Sequence, residues 1–255
     1  MKYVLGLAFL RVYDLLKPHE IKNDFQNLLL LKEVAMEAIE CIKTRMSIRK
    51  FKTDPVPLEI LLNIIDTAKW SPSYKNSQPW EAIIVSGKKK EALSKLLVDL
   101  LENNAEPSPD LPEPLSWPSA IEARINALMK KRSEMIGKDL NSPEVRKKSK
   151  IANFQFYGAP HGIFLFQDSL LTAWSIFDMG LFAQSLMLAA HAFGLGTVPQ
   201  AFLTDYAEHI KKFLGIPETK RLNLGMSIGY PDLTSPVNSF RPDRVGTDKI
   251  VRVVE

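Results

Sequence analysis

Arg45-Met46-Ser47-Ile48-Arg49 sets two guanidinium groups and a hydroxyl on alternate positions. In extended backbone successive side chains point to opposite faces, so Arg45, Ser47 and Arg49 would share one side. Two planar forks flanking a hydroxyl make a donor set for a phosphate or another anion with several acceptor oxygens. The plainer alternative is a solvated helical face. A second polar element follows in Ser71-Pro72-Ser73-Tyr74-Lys75-Asn76-Ser77-Gln78-Pro79-Trp80, a loop dense in amides and hydroxyls. Asn76 and Gln78 each carry a donor and an acceptor, which suits the edge of a heterocycle with alternating N–H and C=O groups. A turn that bonds only to itself is the alternative here.

Other motifs fail on their own chemistry. Gly225-Met226-Ser227-Ile228-Gly229 has the spacing of a nucleophile elbow, but Pro231 stops the helix that must follow. His19, His161, His191 and His209 all precede Ser227, against the chain order of that triad, so the segment reads as a buried strand. Gly194-Leu195-Gly196 begins like a dinucleotide fingerprint, yet Pro199 stands where the third glycine belongs and a helix precedes it. Gly87-Lys88 lacks the upstream glycine of a P-loop, because position 82 is alanine. Lys130-Lys131-Arg132 and Lys147-Lys148 have no interleaved aromatics and read as solvated charge, so no nucleic-acid partner is expected. One cysteine, Cys41, and four scattered histidines exclude a disulfide framework and any zinc spacing. No metal is expected, and the compartment reads as reducing and cytoplasmic.

The elements that must position the polar segments are legible in the apolar spacing. Ile60, Leu61, Ile64, Ile65 and Ala68 recur at helical intervals between Val56 and Trp70, with Pro57 in the first turn and Ser71-Pro72 as the stop. Trp80 to Ser86 and Gly162 to Gln167 read as short buried strands. Asp178 to Phe193 is apolar nearly all round, so it must be buried on several faces, in a core or a subunit interface, with Gly194 ending it. Five of the thirteen residues from Glu106 to Pro118 are proline, which forbids long regular structure until a charged helix from Ser119 to about Lys138. That stretch, about 103–150, reads as an insertion or lid. The run Tyr3 to Leu10 is too short to cross a membrane, and no membrane partner is expected. With 255 residues, 45% hydrophobic, 24% charged and a net charge of +4, the chain fits an ordinary globular protein. Residues 1–40 read as a helical extension ahead of the main domain, 41–255.

Arg-x-Ser-x-Arg followed by Ser-Pro-Ser-x-x-Asn-Ser-Gln-Pro-Trp resembles the N-terminal signature of the FMN-dependent nitroreductase family. Phe154-Gln155-Phe156-Tyr157-Gly158-Ala159-Pro160, the helix ending Ala189-Ala190-His191-Ala192-Phe193-Gly194-Leu195-Gly196, Leu214-Gly215-Ile216-Pro217 and Ile228-Gly229-Tyr230-Pro231-Asp232 resemble its later blocks. Val198-Pro199-Gln200 and the segment Pro236 to Arg244 are similar to the nitrobenzoate-reductase branch. The resemblance covers about residues 41 to 255. It implies an α/β fold of the α+β nitroreductase type, a mixed central sheet flanked by helices, and the long buried helix at a homodimer interface.

By the same resemblance, the phosphate and ribityl chain of FMN would meet Arg45, Ser47 and either Arg241 or Arg244. Arg49 would lie at flavin N1 and the C2 carbonyl. Ser73 and Asn76 would reach the flavin from the other subunit, and the backbone of Pro199-Gln200-Ala201 would face N5. Met46, Pro72 and Gln78 complete the implied cofactor-binding set. The implied reaction is ping-pong, with NADH or NADPH giving hydride to N5 and a nitroaromatic or quinone taking it. The flavin carries the chemistry, so no catalytic side chain is expected. Trp117 would either cap the substrate or anchor the insertion. Tyr74 and Lys75 fill positions that are often small in the family, and Gly246-Thr247-Asp248 departs from its tail pattern. Dehalogenation, flavin destruction, and flavin binding without turnover are the alternative activities.

Overall fold

The computed structural model describes residues 38–255, so most of the extension expected over 1–40 lies outside the described residues. The chain divides into two units, Met1–Arg45 and Met46–Glu255. The described part of the first is helix α1 (Ala38–Thr44), in which Cys41 is buried and accepts the Arg45 N–H at its carbonyl, 3.0 Å away. Burial pushes the Cys41 thiol up, against the pull of the Arg45 charge.

The second unit is built around four strands. After α2 (Leu58–Ala68) come β1 (Glu81–Ser86) and α3 (Gly87–Glu102), then α4 (Ser119–Ile136), α5 (Pro143–Phe154) and β2 (His161–Asp168). The chain closes with α6 (Ala173–Ala192), β3 (Gly196–Gln200), α7 (Ala207–Leu214) and β4 (Lys220–Gly229). The order across the sheet is β1-β2-β4-β3, and every ladder between these strands is antiparallel. Among the described residues, parallel pairing reaches this sheet through the bridge between Ser47 and Thr197, so the expected mixed sheet is mixed at its β3 edge; a second parallel bridge, Ser108 with Tyr206, lies outside the four strands.

Strand β2 explains why both faces of the sheet are covered. Ile163 and Leu165 point to one side, into a core with Leu61, Ile64, Met179, Phe182, Leu186, Met226 and Ile228. Phe164 and Phe166 point to the other, among Leu93, Leu97, Phe154, Phe156, Ile210 and Leu222. Alternate side chains of a strand face opposite ways, so an unbroken apolar run needs helices on both sides: α2 and α6 on one, α3, α5 and α7 on the other. Each large apolar side chain taken fully out of water contributes about 1.5–3 kcal/mol.

The charged helix expected from Ser119 to about Lys138 ends at Ile136 and is capped by Gly137, whose φ of +64° is the left-handed conformation that stops a helix cheaply. The helix expected from Asp178 begins five residues earlier, at Ala173, because its first turn carries Trp174 and Phe177 outward instead of into the core. The Pro-rich segment is fastened to the body. Ser108 N–H donates to Asp205 O at 2.7 Å, and Asp110 accepts from Lys211 Nζ at 3.0 and 3.1 Å and from Leu222 N–H at 2.7 Å.

Candidate functional site

The segment from Met46 to Lys52 runs as an extended strap along the sheet edge. Ile48 N–H donates to Thr197 O at 3.0 Å, and Lys52 N–H donates to Tyr230 O at 2.9 Å. Ile48 is buried, while Ser47 and Arg49 on the opposite side are half-buried, as the alternation of an extended segment requires. The strap can come so close because β3 begins with Gly196: a Cβ there would lie 2.6 Å from the Ile48 side chain. Two distant stretches of sequence, Ser47 to Ile48 and Gly196 to Thr197 at the start of β3, thereby meet.

Buried Asn238 draws a third stretch to the same place. Its Oδ1 accepts the Arg49 N–H at 2.7 Å, and its Nδ2 donates to Lys50 O and Asp232 O, each at 2.8 Å. Arg241 and Arg244 follow it on an exposed tail, where Arg244 Nη1 donates to Pro242 O and Asp243 O at 3.0 and 3.1 Å. Asp243 is ion-paired with Lys131 near the end of α4. The insertion helix is thus tied to the tail that holds Arg49.

At the end of β3 the side chain of Gln200 turns inward. Its Nε2 donates to Asn153 O at 3.0 Å and Asn153 Oδ1 at 3.1 Å, and its Oε1 accepts from Ser227 Oγ. All three residues are buried, so Gln200 has only its backbone to offer a ligand, and Ser227 is a packed strand residue with no access to substrate.

The loop carrying Ser73, Asn76 and Gln78 packs on α6. Tyr74 N–H donates to the buried Asp178 carboxylate at 3.1 and 3.2 Å, and the Tyr74 ring stacks on Trp174 at 5.8 Å. Ser73 Oγ accepts the Gln78 N–H at 3.0 Å, closing the loop on itself. Lys75, Asn76 and Gln78 have φ of +53°, +55° and +45°. Left-handed backbone at non-glycine residues costs on the order of 1–3 kcal/mol each, and such outliers collect at functional sites.

A model of the nitroreductase family matches residues 42–230. The chain belongs to the nitroreductase family. The 4-nitrobenzoate reductase of Pseudomonas putida is 34% identical over 212 residues, spanning 80% of this chain and 89% of that protein. The nitroreductase NfnB of Mycolicibacterium smegmatis is 32% identical over 223 residues, 86% of this chain and 94% of its own length. The crystal structure of the Mycobacterium smegmatis FMN-dependent NfnB in complex with NADPH superposes with a TM-score of 0.81 at 32% identity, covering 86% of this chain and 98% of that one. An FMN- and NADPH-dependent NfnB from Sphigopyxis sp. strain HMH gives a TM-score of 0.83 at 26% identity, with 86% and 100% covered. The fold of this family member is therefore that of solved nitroreductases.

Whether its residues suit a phosphorylated, partly anionic cofactor is answered by the donor set. Arg49 and Arg132 are both half-buried, and neither is ion-paired with a carboxylate among the described residues. Burial and the nearby Arg49 charge together hold the Arg132 guanidinium below its ordinary pKa, with Tyr157 acting the other way. A half-buried pair of like charges without a counter-ion is a place for an anion to bind, which fits. Arg132 was read from the sequence only as part of a solvated run with Lys130 and Lys131; those two lysines are exposed, and Arg132 is not. Asn238 was likewise missed as a positioning residue, though it lies inside a segment that carried the resemblance.

His161, the first residue of β2, is a structural group. Its Nε2 accepts the Val56 N–H at 2.9 Å, so Nδ1 carries the proton that joins it to Ser86 Oγ. Burial, and to a lesser extent the Lys90 charge, lower its pKa. No group of three or more His, Cys, Asp or Glu placed to hold a metal occurs among the described residues.

Proposed function

We propose that the chain is an FMN-dependent NAD(P)H oxidoreductase reducing nitroaromatic or quinone-type acceptors. The observation that carries this reading is the strap itself. The Ser47–Thr197 bridge sets a hydroxyl and a guanidinium beside the start of β3, and Asn238 draws in the arginine-bearing tail. The relatives named for nitro compounds, and the NfnB solved with NADPH, support the same assignment.

FMN, when bound, would supply the hydride-transfer chemistry that links NADH or NADPH to the acceptor, consistent with a ping-pong order. The chain's own part is binding and electrostatics. Arg45, Ser47 and one of Arg241 and Arg244 hold the phosphate and ribityl chain with charge-assisted hydrogen bonds. Arg49 fixes a positive charge at the N1 and C2 carbonyl edge, where negative charge gathers on reduction, and so favours the reduced form. Met46 lines the strap. Pro199 has no backbone N–H, which leaves Gln200 and Ala201 to supply any donor at N5. No side-chain acid or base is assigned, and protons come from water.

The working unit is a homodimer. Trp70, Tyr74, Trp174 and Phe177 stand exposed around α2, α6 and the Pro72–Gln78 loop, an apolar surface suited to a second copy. A partner covering it would receive Ser73, Asn76 and Gln78 into its own site, so each site is completed in trans. The domain acting this way runs from residue 41 to 255, and the single thiol is in keeping with the cytoplasm.

The test is the visible spectrum of the purified protein with chromatography of heat-released cofactor, followed by anaerobic titration with NADH and NADPH. Yellow protein with about one FMN per chain, bleached by reduced nicotinamide and restored by a nitroaromatic, is the expected result. Colourless protein that takes up no added FMN overturns the reading.

A further inference from the structure

We propose that Ser227 and Asn153 are positioning residues of the cofactor site: through the buried side-chain amide of Gln200 they fix the plane of the Gln200–Ala201 peptide against flavin N5. The inference rests on the reading above and deepens it at one peptide. Ser227 is the middle residue of Gly225-Met226-Ser227-Ile228-Gly229, a motif that a nucleophile elbow does not explain. What its hydroxyl meets does explain it. Strand β4 lies beside β3 with Ser227 opposite Val198 and Gly225 opposite Gln200, and the Ser227 hydroxyl donates to Gln200 Oε1.

Asn153 O can only accept, so the Gln200 amide has one orientation. Its Nε2 donates to Asn153 O at 3.0 Å and to Asn153 Oδ1 at 3.1 Å, which leaves Oε1 for the Ser227 hydroxyl. Asn153 is fixed in turn, its Nδ2 donating to Ser149 O at 2.8 Å within α5. One planar group is thus gripped by a helix at one edge and a strand at the other. The far side of the peptide is held separately. A Cβ at Gly225 would collide with the Leu203 side chain, so glycine lets the turn Ala201–Thr204 settle on β4, and Thr204 Oγ1 donates to Ala201 O at 2.8 Å. The peptide held from both ends opens outward: Ala201 is exposed, although Gln200 before it and Leu203 to Ala207 after it are buried. Buried polar side chains beside the core of Phe154, Val198 and Leu203 gain little stability over apolar ones of the same shape. What a fully bonded network adds is a single arrangement of the backbone that carries it. A donor at a reacting atom needs that, because misplacement by about 1 Å can cost about 100-fold in rate.

The experiment compares wild type, Ser227→Ala and the double variant Ser227→Ala/Gln200→Met, each loaded with FMN isotopically labelled at its nitrogens. A hydrogen bond moves the N5 resonance upfield, and N1 serves as the internal control. Ser227→Ala leaves Oε1 buried without its donor. It is expected to shift N5 towards the position of flavin in an aprotic solvent with N1 unmoved, and to slow flavin reduction by NADPH about 10-fold at unchanged KM. The double variant removes the orphaned amide as well, so its melting temperature should recover part of the loss while the N5 resonance stays displaced. An N5 resonance unchanged in Ser227→Ala, or one that recovers along with the melting temperature in the double variant, overturns the proposal. A wild-type N5 resonance already at the aprotic position also overturns it, while leaving the activity standing. If the protein takes up no FMN, the reading of the activity falls instead, and amide exchange at Gln200 and Ala201 in the protein as purified still tests the clamp: faster exchange in Ser227→Ala supports it, and exchange equal to wild type overturns it.

Discussion

Arg49 has its backbone held by Asn238 and its side chain left to answer to whatever binds. Replacing it by Gln removes charge without disturbing the strap, so the flavin midpoint potential should fall while FMN is retained; spectroelectrochemistry checks this, and an unchanged potential removes Arg49 from the N1 edge. Arg45→Ala should act on occupancy, weakening FMN by about 1.5–3 kcal/mol through the loss of a charge-assisted phosphate contact, as measured by flavin release. His161 makes a prediction of a different kind. Its folded pKa is lowered, so between that value and the unfolded pKa of about 6.5 the unfolded chain binds more protons. The stability it contributes is therefore complete above about pH 6.5 and is lost as pH falls below it. The melting temperature should drop on acidification from pH 7.5 towards pH 5.5, and His161→Gln should flatten that slope. Ser47, Arg49 and Asn76 could be singled out in the sequence because short motifs carry them. Arg132 could not, since what distinguishes it from Lys130 and Lys131 is a tertiary approach to Arg49 that no local pattern encodes.

The helices and strands were readable where one period dominates. Helix α2, β1 and β2 fall within two residues of the spans expected from apolar spacing, because each buries a continuous stripe or run. The start of α6 was not readable, since Trp174 and Phe177 face outward and break the pattern of a buried helix. Helices α5 and α7 were not anticipated: α5 has five charged residues among its twelve and no dominant apolar stripe, and α7 is eight residues long with two lysines in its last turn. Burial gives α7 a further role, because Lys211, itself buried, is balanced by Asp110 of the Pro-rich segment. Asp110→Ala should strand that ammonium and the Leu222 N–H, costing about 2–3 kcal/mol in chemical denaturation. A cost near zero would mean that water replaces the carboxylate and that the segment is held only by its Ser108 bond.

For the whole molecule, the exposed aromatic surface is the feature with most at stake. Trp174→Glu puts a charge in the middle of it without touching either buried core, so the expected outcome is a folded monomer by light scattering with sharply reduced FMN content. A dimer that survives the change, or a monomer that keeps its flavin, would separate oligomerisation from cofactor binding. The two-sided core around β2 was implied by its unbroken apolar run, whereas the meeting of strap, β3 and tail was not, because it depends on a bridge and an asparagine that carry no periodic signal.

The Pro-rich insertion is fastened near its beginning, through Ser108 and Asp110, and again near the end of α4, through Lys131 and Asp243. A span held at both feet behaves as an arch more than as a flap: it can bow, but it cannot swing clear. Amide exchange should accordingly be slow at Ser108 and Leu222 and fast along the crown between the feet, where Leu115 and Trp117 stand in water. The largest molecule able to pass beneath would then be set by the length of chain between the two footings, so deleting residues from the crown should narrow the range of admitted acceptors by size while leaving small ones untouched.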